Sequence, residues 1–239
     1  MANKKKKVNG INYDTTHFTM IQMPRDKLFG IGGSDATKIV EGKWKELWEI
    51  KTGQKPYENL DDVLAVQMGI WTEDMNRLWF SKLTGKKILV PDIILSKEVR
   101  FAYASLDGIT NDGCVFEAKH CSPFTIKNVT DKYYPQIQHY LMVTRFDKAY
   151  LSVFIGNSGH KIFEIQRDDK FIFKLLYGEA FFWNYVEQGI EPPDYVDFDE
   201  FINQALSKLK TTSLPIVLKK GKDKNEWLPK PSWISKSIH

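Results

Sequence analysis

Apolar residues recur along this chain at two different periods, and the switches between them mark its elements. From Ala36 to Lys51, the residues Ile39, Val40, Trp44, Leu47 and Trp48 share one side of a helix, and Thr52-Gly53 ends it. Ser34 or Asp35 caps that helix after the turn Gly30-Ile31-Gly32-Gly33. A second helix is predicted from Leu60 to Leu83, with Leu64, Met68, Trp71, Met75, Leu78 and Trp79 as its apolar face and Gly85 as its stop. The period then changes. Phe101 to Thr110 and Cys114 to His120 are rich in β-formers, and Asn111-Asp112-Gly113 between them predicts a hairpin. Tyr133 to Val143 is short and helical, whereas Ala149 to Ile155 and Lys161 to Gln166 read as strands around the turn at 156–159. Asp168 to Gln188 reads as a long amphipathic helix packed by Phe171, Leu175, Leu176, Phe182 and Trp183. Helices alternating with strands in this order predict a layered α/β fold with a mixed central sheet flanked by helices.

Composition narrows the class. The 239 residues are 42% hydrophobic and 27% charged, which suits a core of one domain or at most two. The two cysteines, Cys114 and Cys121, are too few for a disulfide scaffold, a four-cysteine zinc site or an iron–sulfur cluster, and a reducing, cytoplasmic setting is expected. The start MANKKKK has charge but no apolar stretch after it, and no run approaches the ~18 apolar residues of a membrane span, so neither secretion nor a membrane is expected.

Charge is spread unevenly. Of 34 basic and 30 acidic residues, twelve lysines and two acids lie within 1–10 and 208–239, leaving 22 basic against 28 acidic residues between them. The expected organisation is a basic, flexible segment over 1–20, a folded body over 21–207 and a basic tail over 208–239 that carries Trp227 and Trp233. If the basic ends meet a polyanion, the acids of the body must be grouped for another purpose, and metal binding is the first candidate.

Asp107-Gly108 and Glu117-Ala118-Lys119 supply such a group. Side chains two apart on a strand share a face, so Glu117 and Lys119 point the same way, and the hairpin brings Asp107 across to them. Two carboxylates beside an amine form a hard-oxygen site for Mg²⁺ or Mn²⁺, with a lysine to act on water or on phosphodiester charge. The alternative is a charged outer face of a surface hairpin, against which stand the apolar neighbours Leu106, Ile109, Val115 and Phe116. Gly32-Gly33-Ser34 at a helix start reads either as an anion site or as a plain capped turn. His120 and Cys121 beside Cys114 lack the spacing and the fourth ligand of a zinc site.

Taken together, GIGGSDA (Gly30 to Ala36), Met68-Gly69 with Glu73, Ser105-Leu106-Asp107-Gly108, Glu117-Ala118-Lys119 and Tyr134-x-Gln136-x-Gln138-x-Tyr140 resemble the YqaJ-type viral recombinase family. That family includes phage lambda exonuclease and belongs to the PD-(D/E)XK nucleases. The resemblance implies a restriction-endonuclease-like fold and a Mg²⁺-dependent 5′-to-3′ exonuclease on double-stranded DNA ends, with Mn²⁺ as a substitute metal. It implies metal ligation by Asp107, Glu117 and the carbonyl of Ala118, a lysine beside the attacking water at Lys119, a further active-site acid at Glu73 and a steadying glutamine at Gln136, preferred to Gln138 by position. It places a 5′-terminal phosphate at Gly32, Gly33 and Ser34 with a base upstream, Lys27 or Arg25, where lysine in place of arginine weakens bidentate recognition. A homotrimeric ring, a single-strand annealing partner and a phage or prophage origin, with action in the host cytoplasm, are also implied. An endonuclease or structure-specific nuclease on the same fold, and a non-catalytic DNA-binding protein, are the alternatives.

Overall fold

A computed structural model of the chain describes residues 5–8, 11–23 and 28–209. Arg25, Lys27 and the tail with Trp227 and Trp233 lie outside them. Strands β1 (Lys5–Val8) and β2 (Ile11–Asp14) pair with each other, and β3 (Phe18–Ile21) opens the body. Two short helices follow, α1 (Gly33–Val40) and α2 (Trp44–Lys51), and then the long α3 (Leu64–Thr84), which ends on left-handed Gly85. Next come β4 (Ile88–Leu89), β5 (Ile93–Ser96), β6 (Tyr103–Ala104), β7 (Gly108–Thr110) and β8 (Val115–Cys121). The chain closes with α4 (Val129–Thr144), β9 (Lys148–Ile155), β10 (Gly159–Gln166), α5 (Asp169–Gln188) and α6 (Phe198–Leu209).

The main sheet has five strands in the order β10-β9-β8-β7-β4, and it is mixed because β8 runs parallel to β9 while every other pair is antiparallel. Parallel neighbours need a crossover, and α4 supplies it. A second sheet, β3-β5-β6, stands beside the first. On one face of the main sheet lies the larger core, where Trp183 is packed by Phe29 and Phe101 and Trp44 by Phe182. On the other face α3 sits on a small cluster of Phe80, Cys114, Phe116, Ala118 and Tyr150. Successive residues of β8 serve the two faces in turn: Phe116 and Ala118 meet α3, while Val115 joins the core under α4.

Several expectations need correcting. The run from Ala36 to Lys51 is two helices, because Gly42 turns the chain with φ of 76° and any β-carbon there would lie 2.3 Å from the carbonyl of Val196. The strand expected over Phe101 to Thr110 is also two, β6 in the smaller sheet and β7 in the larger, which leaves Asp107 at the step between sheets. The boundary expected after residue 20 cuts β3, whose Phe18 is fully buried, and the one after 207 cuts α6. The largest reversal concerns α3. Leu64, Trp71, Met75, Leu78 and Trp79 are exposed, and the helix docks instead through buried Asn76 and Phe80. An apolar stripe at helical spacing shows that a face is unlike the rest, not what covers it.

Candidate active site

At the end of β7 the two sheets part, and the carboxylates gather there. Asp107 immediately precedes β7, and its Oδ2 accepts the backbone N–H of Ala118 at 2.8 Å. The pairing of Gly108 with Phe116 sets Asp107 across from Glu117. In an extended strand the N–H and C=O of one residue point to the same side, so the Ala118 carbonyl faces the side that Asp107 occupies.

Glu117 is 1% exposed. Its Oε1 accepts Lys119 Nζ at 2.5 Å and Gln136 Nε2 at 2.7 Å. Oε2, also buried, has no hydrogen-bond partner among the described residues. Burial first, and the charge of Asp107 second, push the Glu117 carboxyl up to about 8. Burial raises Asp107 as well, with Lys119 opposing. Burial pulls the Lys119 ammonium down, but Glu117 and Asp107 outweigh it and its pKa stands above the ordinary value. The Tyr133 ring lies 4.8 Å from that ammonium and fixes it from the other side.

Helix α3 brings in Glu73, bonded to Arg77 one turn on, and Arg77 also donates to the Asp107 carbonyl at 3.0 Å. Asn76, beside them, donates to the carbonyls of Lys119 at 3.3 Å and Ser152 at 3.0 Å and accepts the Ser152 hydroxyl. Helix α4 brings in Gln136, which also donates to the Tyr140 hydroxyl at 2.9 Å. Gln138 points elsewhere, donating to the Gln166 carbonyl and accepting the N–H of Asp168, and so ties α4 to the start of α5. Asp107, Glu117, Lys119 and Gln136 thus converge, with Glu73 at their edge. Arg77, Asn76 and Tyr133 were missed by the reading of the sequence. Of these only Arg77 left a signal there, as a base four residues after Glu73 on one helix.

The glycine turn lies next door and is closely packed. Gly32 caps α1, and its N–H is taken by Asp35 Oδ2 at 2.8 Å, which also receives Lys51 Nζ at 2.6 Å in a buried ion pair. A β-carbon on Gly32 would meet the Tyr103 ring at 2.9 Å, and one on Gly33 would meet the Tyr140 ring at 2.5 Å and Gln136 Cγ at 2.8 Å. Aromatic rings therefore fill the space a side chain would need at Gly32 and Gly33, and of the three residues Ser34 is the exposed one. Arg25 and Lys27, the candidate bases, fall outside the described residues.

The group fits a divalent cation. A buried carboxylate oxygen without a partner among the described residues, next to a second carboxylate and a strand carbonyl, is a hard-oxygen donor set. Among the described residues no three His, Cys, Asp or Glu side chains form a complete metal cage. Two carboxylates with remaining positions left to water and phosphate is how Mg²⁺ is usually held at phosphate-transfer sites.

The fold and these positions together define a class, a mixed-sheet α/β fold with a carboxylate–lysine site where its two sheets part. Residues 24–147 match the YqaJ-like viral recombinase domain. The chain belongs to that family. It is 36% identical over 177 residues to a protein of Bacillus subtilis (strain 168) described as uncharacterized protein YqaJ, covering 69% of this chain and 55% of that one. The chain thus spans about half the length of that relative. Among solved structures it shares its fold with LHK-Exo, an alkaline exonuclease from Laribacter hongkongensis. The TM-score is 0.59 at 18% identity over 77% of this chain and 96% of that one. The same enzyme in complex with dAMP matches at 0.59 and 19% identity over the same shares.

Proposed function

We propose that this chain is a Mg²⁺-dependent exonuclease that degrades double-stranded DNA from its ends in the 5′-to-3′ direction, releasing 5′-mononucleotides and leaving 3′ single strands for recombination. The observation that carries this reading is Glu117, a fully buried carboxylate with one unpartnered oxygen beside Asp107 and Lys119. Asp107, Glu117 and the Ala118 carbonyl would hold Mg²⁺ or Mn²⁺, and such an ion supplies activation of water and neutralisation of phosphodiester charge when bound.

The remaining work falls to the chain itself. Lys119, held between Glu117 and the Tyr133 ring, presents its ammonium to the attacking water and to the charge that develops on the phosphoryl oxygens. Gln136 fixes the rotamer of Glu117 from α4, and Tyr140 fixes Gln136. Arg77 holds the Asp107 carbonyl and balances Glu73, which leaves Glu73 at the rim to orient water. Family membership and the shared fold with an alkaline exonuclease also seen with dAMP, itself a 5′-mononucleotide, support the reading. A ring of three copies around the duplex, a single-strand annealing partner and action in a host cytoplasm belong to the same proposal. Ser34, with a base from the segment before α1, remains the candidate contact for a 5′-phosphate.

The test is digestion of an end-labelled linear duplex against a covalently closed circle with Mg²⁺. Release of the 5′ label as mononucleotide, an intact circle and no cleavage by Asp107→Ala are expected. Cutting of the circle, or loss of the 3′ label first, would contradict it.

A further inference from the structure

The chain leaves β8, which carries Glu117 and Lys119, through a short turn that holds an aromatic ring out in water. Phe124 is 93% exposed, more than any other large apolar side chain among the described residues. Its backbone is nonetheless well tied. The N–H of Thr125 donates to the Ser122 carbonyl at 3.1 Å, closing a β-turn with serine at its first position and Pro123 at its second, residue types that favour it. The Thr125 hydroxyl donates to the same carbonyl at 3.2 Å. Just before the turn, the Cys121 carbonyl accepts the Gly156 N–H at 2.8 Å, and His120 Nε2 donates to the Gly156 carbonyl at 3.0 Å. The end of β8 is thus pinned to the turn between β9 and β10, and Phe124 stands at a fixed tip five residues after Lys119.

Free cations follow it. Lys127 and Lys132 are exposed, and among the described residues neither has an ion-pair partner; Asp131, the one acid between residues 120 and 133, bonds neither. Lys132 Nζ lies 5.3 Å from the centre of the Tyr133 ring, and Lys119 Nζ lies 4.8 Å from the same centre. The two ammoniums are therefore at most about 10 Å apart, within a Debye length, and each feels the other's charge. Glu117 answers Lys119, whereas Lys132 is left to an anion from outside. A ring fixed in water and followed by free cations is the pattern that takes a single nucleic-acid strand, with a base on the ring and phosphates on the ammoniums. An apolar protein surface would match the ring but not the lysines.

We propose that the segment from Ser122 to Lys132 grips the strand being cut, with Phe124 stacked on an unpaired base and Lys127 and Lys132 on phosphates that flank the scissile one. The inference rests on the nuclease reading and adds to it the course of the substrate strand, past the end of β8 and over Tyr133. The two kinds of contact leave different marks. Stacking is sequence-tolerant and indifferent to salt, whereas a lysine on a phosphate releases a counterion and so contributes to the salt dependence of binding.

The test is the concentration of end-labelled linear duplex that gives half the maximal initial rate of cleavage, measured on the full chain with Mg²⁺ at several salt concentrations. Phe124→Leu keeps the apolar bulk but loses the aromatic face, so it should raise this concentration by roughly 5- to 150-fold without changing its salt dependence. Phe124→Tyr should keep the wild-type value. Lys132→Gln should raise the concentration and lower the slope of its logarithm against the logarithm of salt by about 1. Both positions are exposed, so all three variants should keep the wild-type circular dichroism. A wild type that cleaves no DNA would overturn the nuclease reading and this inference with it. A wild type that cleaves would overturn the inference alone if Phe124→Leu saturates as the wild type does, if Phe124→Tyr behaves like Phe124→Leu, or if Lys132→Gln keeps the wild-type slope.

Discussion

Replacing Gly33 by alanine tests how the glycine turn is tied to the carboxylate site. In an ordinary first helical turn this change is favourable, by up to about 1 kcal/mol of helix propensity. Here the added carbon would lie 2.5 Å from Tyr140 Cε1 and 2.8 Å from Gln136 Cγ, inside any allowed contact. Both side chains must move, and overpacking of this kind costs about 1–3 kcal/mol, which leaves a net loss of roughly 1–2 kcal/mol. At about 2–4 °C per kcal/mol for a chain of this size, the melting temperature should fall by roughly 2–8 °C. Activity should fall further than stability explains, because Tyr140 and Gln136 are the chain of contacts that orients Glu117. Gly69→Ala is the control: nothing lies within 4 Å of the added carbon in the middle of α3, so that variant should melt higher by an amount worth ~0.5–1 kcal/mol. Thermal denaturation without metal, followed by single-turnover cleavage at a temperature where all three proteins are folded, gives both numbers. A Gly33→Ala protein that melts at or above the wild type and cleaves normally would refute the packing described.

Lys119→Ala should slow single-turnover cleavage by on the order of 10²-fold at saturating metal, where a surface lysine would cost almost nothing. The two glutamines of α4 should separate cleanly. Gln136→Ala should lower activity with little change in melting, whereas Gln138→Ala removes two half-buried hydrogen bonds, to the Gln166 carbonyl and from the Asp168 N–H, and should cost roughly 1–3 kcal/mol in urea denaturation with activity retained in the folded protein. His139 gives a pH test: it is fully buried with Nδ1 at Glu179 Oε1 and Nε2 at the Tyr103 carbonyl, two acceptors that require a doubly protonated ring. Burial works against that charge, but Glu179 outweighs it and the imidazole stays above its ordinary pKa. A raised folded pKa means stability that is complete below about 6.5 and lost as pH rises through the folded value, so the advantage of wild type over His139→Gln should shrink from pH 6 toward higher pH.

What the sequence made legible was local. Glu117 and Lys119 share a face because they sit two apart on a strand, and Asn111-Asp112-Gly113 folds Asp107 back to them, with Gly113 left-handed at 78°. The start of the last long helix was likewise readable, since Asp168 accepts the N–H groups of Lys170 and Phe171 as a cap should. What stayed hidden depended on distant partners. Tyr103 and Tyr140 lie far along the chain from Gly32 and Gly33, so the tight packing that requires glycine at both positions could not be read from the turn itself. The stripe on α3 looked like core because nothing in it announces that Asn76 and Phe80 make the contact instead. β4 and β6, two residues each, were too short to give a period.

Asp107 and Glu117 are proposed to take a divalent cation, and titration of metal into the DNA-free protein measures this most directly. Followed by calorimetry and by melting, Mn²⁺ or Mg²⁺ should bind the wild type and, at 100 times the dissociation constant, stabilise it by about 2.7 kcal/mol, or roughly 5–10 °C. Glu117→Gln keeps the shape but leaves Lys119 only Asp107 as counter-charge, so it should melt somewhat below the metal-free wild type and gain nothing from either ion. A wild type that binds neither ion, or a Glu117→Gln protein that binds and is stabilised as the wild type is, would contradict the assignment.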